Sequence, residues 1–249
     1  MMNLDSMDRL GLIRRRLDVD GRVRVVQLAG ELDVSEMTIR RDLDVLVDEG
    51  VAHRVRGGAV AVGPQQFAAR AEQHSRAKGR IADKLIDLIG VGGAIGIDAS
   101  STLQRLAARL APVRHLTVLT NGLDTFRSLQ EHPGVTALLT GGELDESTGS
   151  LVGPLATRAA GDVMLRRLFV SASALDPELG SSESTLLDAE AKLALAGAAA
   201  EIVLAVDASK LGHRAPARCF DFEHIDILVT ELDPADTRLD PYRDRVEVI

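Results

Sequence analysis

At 249 residues the chain exceeds the roughly 100 to 150 residues of a common single domain, so one or two domains are expected. Its 45% hydrophobic and 27% charged content excludes a disordered or collagen-like protein. The net charge of −8 excludes a uniformly basic nucleic-acid binder, yet residues 1–60 account for only −1 of it and carry arginines in clusters at Arg14 to Arg16, Arg40 and Arg41, and Arg54 and Arg56.

The opening residues Met1 to Asp8 hold early acids and no apolar run before Arg14, so a secretory leader is not expected and a cytoplasmic address is. Leu10, Ile13 and Leu17 then recur at helical spacing, and Gly21 ends that segment. Val25, Val26, Leu28, Ala29 and Leu32 predict a short second helix. Ser35 suits the N-cap of a third, with Glu36 complementing its positive end and Ile39, Leu43, Leu46 and Val47 forming its buried stripe. That stripe leaves Met37, Arg40, Arg41 and Asp44 outside, with Thr38 in the first exposed turn. Arg40 and Arg41 are either ordinary solvated charges paired with Asp42 and Asp44 or the reading edge of a helix that enters a major groove. Val51 to Val60 reads as two short strands around a Gly57-Gly58 turn, with Arg54 and Arg56 making a basic wing. Helix, turn, helix and basic hairpin together describe a winged helix-turn-helix.

The run Val34-Ser35-Glu36-Met37-Thr38-Ile39-Arg40-Arg41-Asp42-Leu43, followed by Arg54 and Arg56-Gly57-Gly58-Ala59, resembles the N-terminal domain of DeoR-family bacterial transcription regulators. The resemblance implies that Ser35, Thr38, Arg40 and Arg41 face double-stranded operator DNA while Arg54 and Arg56 meet its phosphates. The expected division is a DNA-binding domain over residues 1–62, a linker over 63–75 containing Pro64, Gln65 and Gln66, and an α/β domain over 76–249.

In the second part apolar runs at Gly93 to Ile97, Leu116 to Leu119, Val135 to Leu139, Leu168 to Val170, Ile202 to Val206 and Ile225 to Val229 alternate with helical patterns. Those patterns lie at Ile81 to Ile89, Leu103 to Leu110, Leu123 to Leu129, Leu155 to Met164 and Leu187 to Ala199. The alternation predicts a mostly parallel sheet covered by helices, with ligands outside the carboxyl ends of its strands. Small polar residues follow those ends: Asp98, Ser100, Ser101 and Thr102, then Asn121, then Gly141 and Gly142, then Lys210. Hydroxyls and amides at Ser100 to Thr102 suit an anion, and the Lys210 ammonium would neutralise a phosphate. Read singly, Ser101 is a helix cap, the glycines make turns and Lys210 is solvated. The longest apolar candidate, Leu193 to Val206, carries Glu201, so no membrane span is expected. Cys219, alone in the chain, excludes an intrachain disulfide and reads as a small buried hydrophobe. No Trp and a single Tyr242 leave little with which to stack unpaired bases.

Lys78-Gly79-Arg80-Ile81-Ala82, Asp98 to Thr102, Thr120-Asn121, Thr140-Gly141-Gly142, Gly153 and Asp207-Ala208-Ser209-Lys210 resemble the C-terminal effector domain of the same family, which is similar in fold to ribose-5-phosphate isomerase. The resemblance implies a phosphorylated sugar or related metabolite at these loops, controlling DNA affinity. Ser100 stands where the family commonly has Gly, and its β-carbon narrows the room for a close phosphate; Ser171 to Leu175 replaces the family's glycine-rich segment after the fourth strand, and both departures bear on which effector is bound. An isomerase is the rival class, but Asp98, Asp176 and Glu183 have no evident partners in sequence, and His74, His115 and His132 lack metal or triad spacing. No Gly-x-Gly-x-x-Gly or Walker pattern calls for a nucleotide cofactor. An architectural DNA protein that needs no effector is a third reading. The expectation is a non-enzymatic regulator without cofactor or metal, a repressor of carbohydrate metabolism genes, working as a homodimer or homotetramer on paired half-sites.

Overall fold

The computed structural model describes residues 6–49, 52–61, 67–110, 113 and 115–249. Pro64, Gln65 and Gln66 of the expected linker, Val51 of the expected wing and Met1 to Asp5 lie outside the described residues. The chain divides into two compact units, Met1–Gln73 and His74–Ile249.

The first unit runs α1 (Ser6–Asp20), β1 (Arg22–Arg24), α2 (Val25–Glu31), α3 (Glu36–Asp48), β2 (Ala52–Val55), β3 (Gly58–Ala61) and α4 (Phe67–Glu72). Ile13 and Leu17 from α1, Val25 and Leu28 from α2, and Ile39, Leu43 and Leu46 from α3 close a core over Val23, Ala52 and Ala59 of the strands. The helical periodicity of the sequence therefore survives intact. β1 is an addition: three residues, Arg-Val-Arg, too short to show a period, pair antiparallel with β3, and β3 pairs with β2. The wing turn also differs from expectation. It falls at Arg56-Gly57, with Gly57 at φ +82°, while Gly58 is already in β3 opposite Arg24 and Val55.

The second unit opens with α5 (Ser75–Ile89), β4 (Gly93–Ile97), α6 (Ser101–Ala107), β5 (Leu116–Thr120), α7 (Leu123–Leu129) and β6 (Val135–Leu139). A hairpin of β7 (Glu143–Asp145) and β8 (Ser150–Val152) leads to α8 (Pro154–Gly161) and β9 (Arg167–Val170). A second hairpin, β10 (Ala174–Asp176) and β11 (Gly180–Glu183), precedes α9 (Leu186–Gly197), β12 (Ile202–Ala205), β13 (Ala217–Arg218), β14 (Ile227–Val229), α10 (Asp240–Arg243) and β15 (Glu247–Val248).

Seven strands form one sheet in the order β15-β14-β12-β9-β4-β5-β6, every pairing parallel. Successive residues of a strand face opposite sides, so each apolar run feeds two cores. Phe169 and Val203 join Ile95, Ile97, Leu103 and Val118 on one side; Leu168, Val170 and Leu204 join Leu228 and Tyr242 on the other. From the central β4 the chain proceeds outward through β5 and β6, then returns to β9 on the opposite flank. The reversal point lies between β4 and β9, the place outside whose carboxyl ends open parallel sheets generally bind ligands.

Candidate functional sites in the winged and α/β units

In the winged unit Ser35 caps α3: its Oγ accepts a hydrogen bond from the Thr38 amide at 3.1 Å and shares one with the Thr38 hydroxyl at 2.9 Å. Beyond this cap Arg40 is held by Glu36 at 2.7 Å, whereas the exposed Arg41 guanidinium has no ion pair or hydrogen bond among the described residues. Neither Asp42 nor Asp44 serves these arginines. Asp42 is buried and bound by Arg9 through two hydrogen bonds, 2.5 and 3.1 Å, which ties α1 to α3, and Asp44 lies 3.4 Å from Arg54. Arg54 is thereby drawn back toward α3, and Arg56 is left exposed at the wing turn. Of the six expected DNA contacts, Arg41 and Arg56 present uncommitted guanidinium groups.

In the α/β unit the expected effector residues fall into two groups. The segments after β4, β5 and β6 are interlocked. The Thr125 hydroxyl donates to the Asp98 carbonyl, the Thr140 amide donates to the Thr120 carbonyl, and Asn121 exchanges two hydrogen bonds with Leu151. Gly122 passes so close to Ala99 that a Cβ would lie 2.7 Å from the Ala99 Cα. At Gly142, φ +118°, a Cβ would lie 2.5 Å from the Val152 carbonyl oxygen, so glycine is required there on both counts. Asp98, Ser101, Thr102, Asn121 and Thr140 are all buried, and the Asn121 Oδ1 has no hydrogen-bond partner among the described residues. Lys210 stands apart, in a single 3-10 turn, Ala208–Lys210, after β12. β12 lies two strands from β4, about 10 Å away, and the Lys210 ammonium makes no ion pair or hydrogen bond among the described residues.

Two expectations about individual residues change. Ser100, not Ser101, caps α6, its Oγ accepting from the Leu103 amide at 3.2 Å with φ −79°, so the β-carbon at this position introduces no backbone strain. Ser101 instead receives a 3.1 Å hydrogen bond from the buried ammonium of Lys78 in α5. Lys78 was present in the motif Lys78-Gly79-Arg80 but carried no role in sequence; its place on the buried face of an amphipathic helix beside Ile81, Ala82 and Leu85 was the available signal.

Asp98 and Glu183 are also not without partners. Lys192 of α9 donates to the Glu183 Oε1 at 2.7 Å and the Ser171 carbonyl at 2.8 Å, and forms an ion pair with the Asp98 Oδ2 at 3.3 Å. Burial opposes the charge of Lys192, and the Glu183 and Asp98 carboxylates outweigh it, holding the ammonium above the ordinary lysine range. Asp98 further accepts from the amides of Ser100 and Ser171, at 2.8 and 2.9 Å. Asp176 is bound by Arg214 at 2.5 Å, and that bond, together with the amides of Glu178 and Leu179, lowers it to about 2. These carboxylates are therefore engaged in joining β4, β9, β10, β11 and α9. Burial pushes the nearby Cys219 thiol up to about 12, against the opposing effect of Lys192. At pH 8 only about one molecule in ten thousand then carries the thiolate, so alkylation of the folded protein is expected to be slower than that of the urea-unfolded chain by at least about a hundredfold. Equal rates in the two states would contradict the burial.

Residues 73–232 match the DeoR C terminal sensor domain, and residues 9–65 match the DeoR-like helix-turn-helix domain. The chain belongs to the DeoR family. It is a DNA-binding transcriptional regulator of that family, with a winged head and a sensor domain. Similar DeoR-type relatives include the HTH-type transcriptional regulator GlpR of Haloferax volcanii, 35% identical over 86% of this chain and 85% of that one. The lactose phosphotransferase system repressor of Lactococcus lactis is 32% identical, covering 83% and 84%, and the L-fucose operon activator of Haemophilus influenzae is 31% identical, covering 88% and 90%. Among solved structures, ribose 5-phosphate isomerase A from Methanocaldococcus jannaschii is similar at a TM-score of 0.41 and 14% identity, over 55% of each chain. No helix among the described residues is long and apolar enough to cross a membrane.

Proposed function

We propose that this DeoR-family chain represses genes of carbohydrate metabolism and that a phosphorylated sugar, bound outside the carboxyl ends of the parallel sheet, sets its affinity for operator DNA. The observation that carries this reading is the polar assembly at β4, β5 and β6, with the buried Lys78 ammonium on Ser101 and, after β12 two strands from β4 in the same sheet, the uncommitted Lys210. Cations at one sheet edge suit an anionic group, and the buried hydroxyl and amide groups that follow β4, β5 and β6 suit a polyol. The named relatives include a lactose-system repressor and a fucose-operon activator, which supports sugar-linked control; a head seated over a promoter excludes other proteins from it, which supports repression. The regulator acts as a symmetric homodimer or homotetramer, because two linked heads on paired half-sites gain affinity by effective concentration. The sugar phosphate acts by binding the DNA-competent and DNA-incompetent states unequally.

The test is fluorescence anisotropy of the full chain on the DNA upstream of its own gene, at fixed salt, with a panel of sugar phosphates and with inorganic phosphate alone. Saturable, sequence-specific binding altered by one sugar phosphate is expected; specific binding that no sugar phosphate alters would refute the sensor reading. Arg41→Ala should weaken specific binding by about tenfold to a hundredfold, the worth of roughly 1–3 kcal/mol for a base-edge contact, and leave sugar-phosphate binding intact. Unchanged operator affinity would remove Arg41 from the reading edge. Lys210→Ala should weaken the sugar phosphate by about tenfold or more, the value of a charge-assisted hydrogen bond, with operator affinity unchanged in its absence. An identical ligand titration would exclude Lys210 from the site.

A further inference from the structure

The arginines of the winged unit separate into two sets by their partners. Arg9, Arg14, Arg16, Arg40 and Arg54 are held by Asp42, Glu49, Asp20 and Glu31, Glu36, and Asp44. The guanidinium groups of Arg15, Arg22, Arg24, Arg41 and Arg56 have no ion pair or hydrogen bond among the described residues, and three of them, Arg22, Arg24 and Arg56, line one open groove with the exposed side chains of Val26 and Val55. In a unit whose first 60 residues sum to −1, uncompensated cations gathered in one groove mark where an anion fits without first breaking a salt bridge.

We propose that β1 is a second phosphate-binding edge of the head, with Arg22 and Arg24 joining Arg56 of the wing to hold the DNA backbone alongside the groove that α3 enters. β1 alternates exposed, buried, exposed, so Val23 anchors the strand in the core while Arg22 and Arg24 project together from its outer face, about 6.6 Å apart along the chain. Register places Arg24 opposite Gly58, immediately beside the wing turn, and the Val25 amide donates to the Gly57 carbonyl at 2.9 Å. The wing, β1 and the start of α2 are thus one connected surface, and Arg24 stands at the N-cap of α2 without capping it, its side chain uncommitted to the helix. A three-residue strand buried by one valine gives the core little; its two flanking arginines are what it delivers to the surface.

This inference rests on the operator-binding reading, and its test separates the two. Operator binding by the full chain is measured by anisotropy from about 50 to 200 mM salt, where each phosphate contact contributes about 0.9 to the slope of log affinity against log salt. Arg22→Ala with Arg24→Ala should lower the magnitude of that slope by about 1.8 and weaken the operator and a scrambled duplex by the same factor. Replacing both by Lys should retain the slope, because a phosphate reads charge rather than a bidentate fork. Arg16→Ala, which removes an arginine already paired, should change the slope by less than about 0.3. Thermal melting of each variant confirms that these exposed substitutions leave the head folded. A folded double alanine variant with the wild-type slope would overturn the proposal, as would a loss confined to the operator, which would make these arginines base readers. Failure of the wild-type chain to bind any duplex would refute the operator reading itself.

Discussion

Replacing Lys192 with Met is expected to cost the α/β domain about 3–5 kcal/mol, the usual penalty for removing one partner from a buried charge assembly. Met approximates the volume of the lysine stem, so the loss reports charge rather than a cavity. It leaves the Asp98 and Glu183 carboxylates, both almost fully buried, facing the place where the ammonium stood. At roughly 2–4 °C per kcal/mol for a domain of this size, the thermal midpoint should fall by about 10 °C. The pH dependence has a definite sign. Burial raises the Glu183 carboxyl while Lys192 lowers it, so removing Lys192 raises it further. A group whose folded pKa lies above its unfolded value contributes stability at low pH and loses it as pH rises through the folded value. The deficit of Lys192→Met should therefore be smaller at pH 5 than at pH 8, and adding Glu183→Gln should recover part of it at pH 8. A loss below about 1 kcal/mol, or a deficit independent of pH, would show that Lys192 is not the counter-ion of this cluster.

The same assembly explains why parts of the fold were legible in the sequence and parts were not. The six apolar runs and the helical patterns between them declare the parallel sheet, because a strand covered on both faces has to be apolar throughout. β11 is Gly-Ser-Ser-Glu and wholly buried, with no apolar residue to announce it. Its stability comes from partners distant in sequence: the Ser181 amide donates to the Phe220 carbonyl, the Ser181 hydroxyl accepts from the Phe220 amide, and Glu183 meets Lys192. β7 is too short to show alternation, and β1 reveals itself only once β3 is there to pair with it. Lys192 did leave a trace. Asp188, Ala189, Lys192 and Leu195 share the buried face of α9, and two charges at core positions of an alanine-rich helix require counterparts inside the protein. Asp188 meets Ser150 at 2.7 Å, as Lys192 meets Asp98 and Glu183, but which residues answer such charges is decided by topology. The candidate site divides in the same way. Loop composition at the carboxyl ends of β4, β5 and β6 pointed to residues that do interlock, while the one-residue difference between Ser100 and Ser101 exchanged a helix cap for the partner of Lys78.

In the winged unit the largest expected effect comes from a methyl group. Gly58→Ala would place a Cβ 1.9 Å from the Val23 carbonyl oxygen and 3.0 Å from its carbon, and both belong to the backbone of β1. No flexible side chain is there to give way. Relief requires β1 to move off β3, and the two share only the pairs Arg22 to Val60, Val23 to Ala59 and Arg24 to Gly58. Overpacking a well-filled core costs about 1–3 kcal/mol, and with backbone as the obstacle the upper end, about 3 kcal/mol, is expected. A unit of this size has few kilocalories to lose, since a domain of some 60 residues buries a small core. Urea unfolding should show the winged unit destabilised and the α/β unit unchanged, and operator affinity should fall by about a hundredfold or more, the equivalent of roughly 3 kcal/mol. Gly57→Ala supplies the contrast. At φ +82° it is strained by about 1–2 kcal/mol but meets no atom within 4 Å, so its effect on stability should be the smaller of the two. If Gly58→Ala instead bound the operator within about fivefold of wild type, a difference near 1 kcal/mol, the contact between β1 and the wing would not be what shapes the DNA-binding surface, and the phosphate edge assigned to Arg22 and Arg24 would lose its structural basis as well.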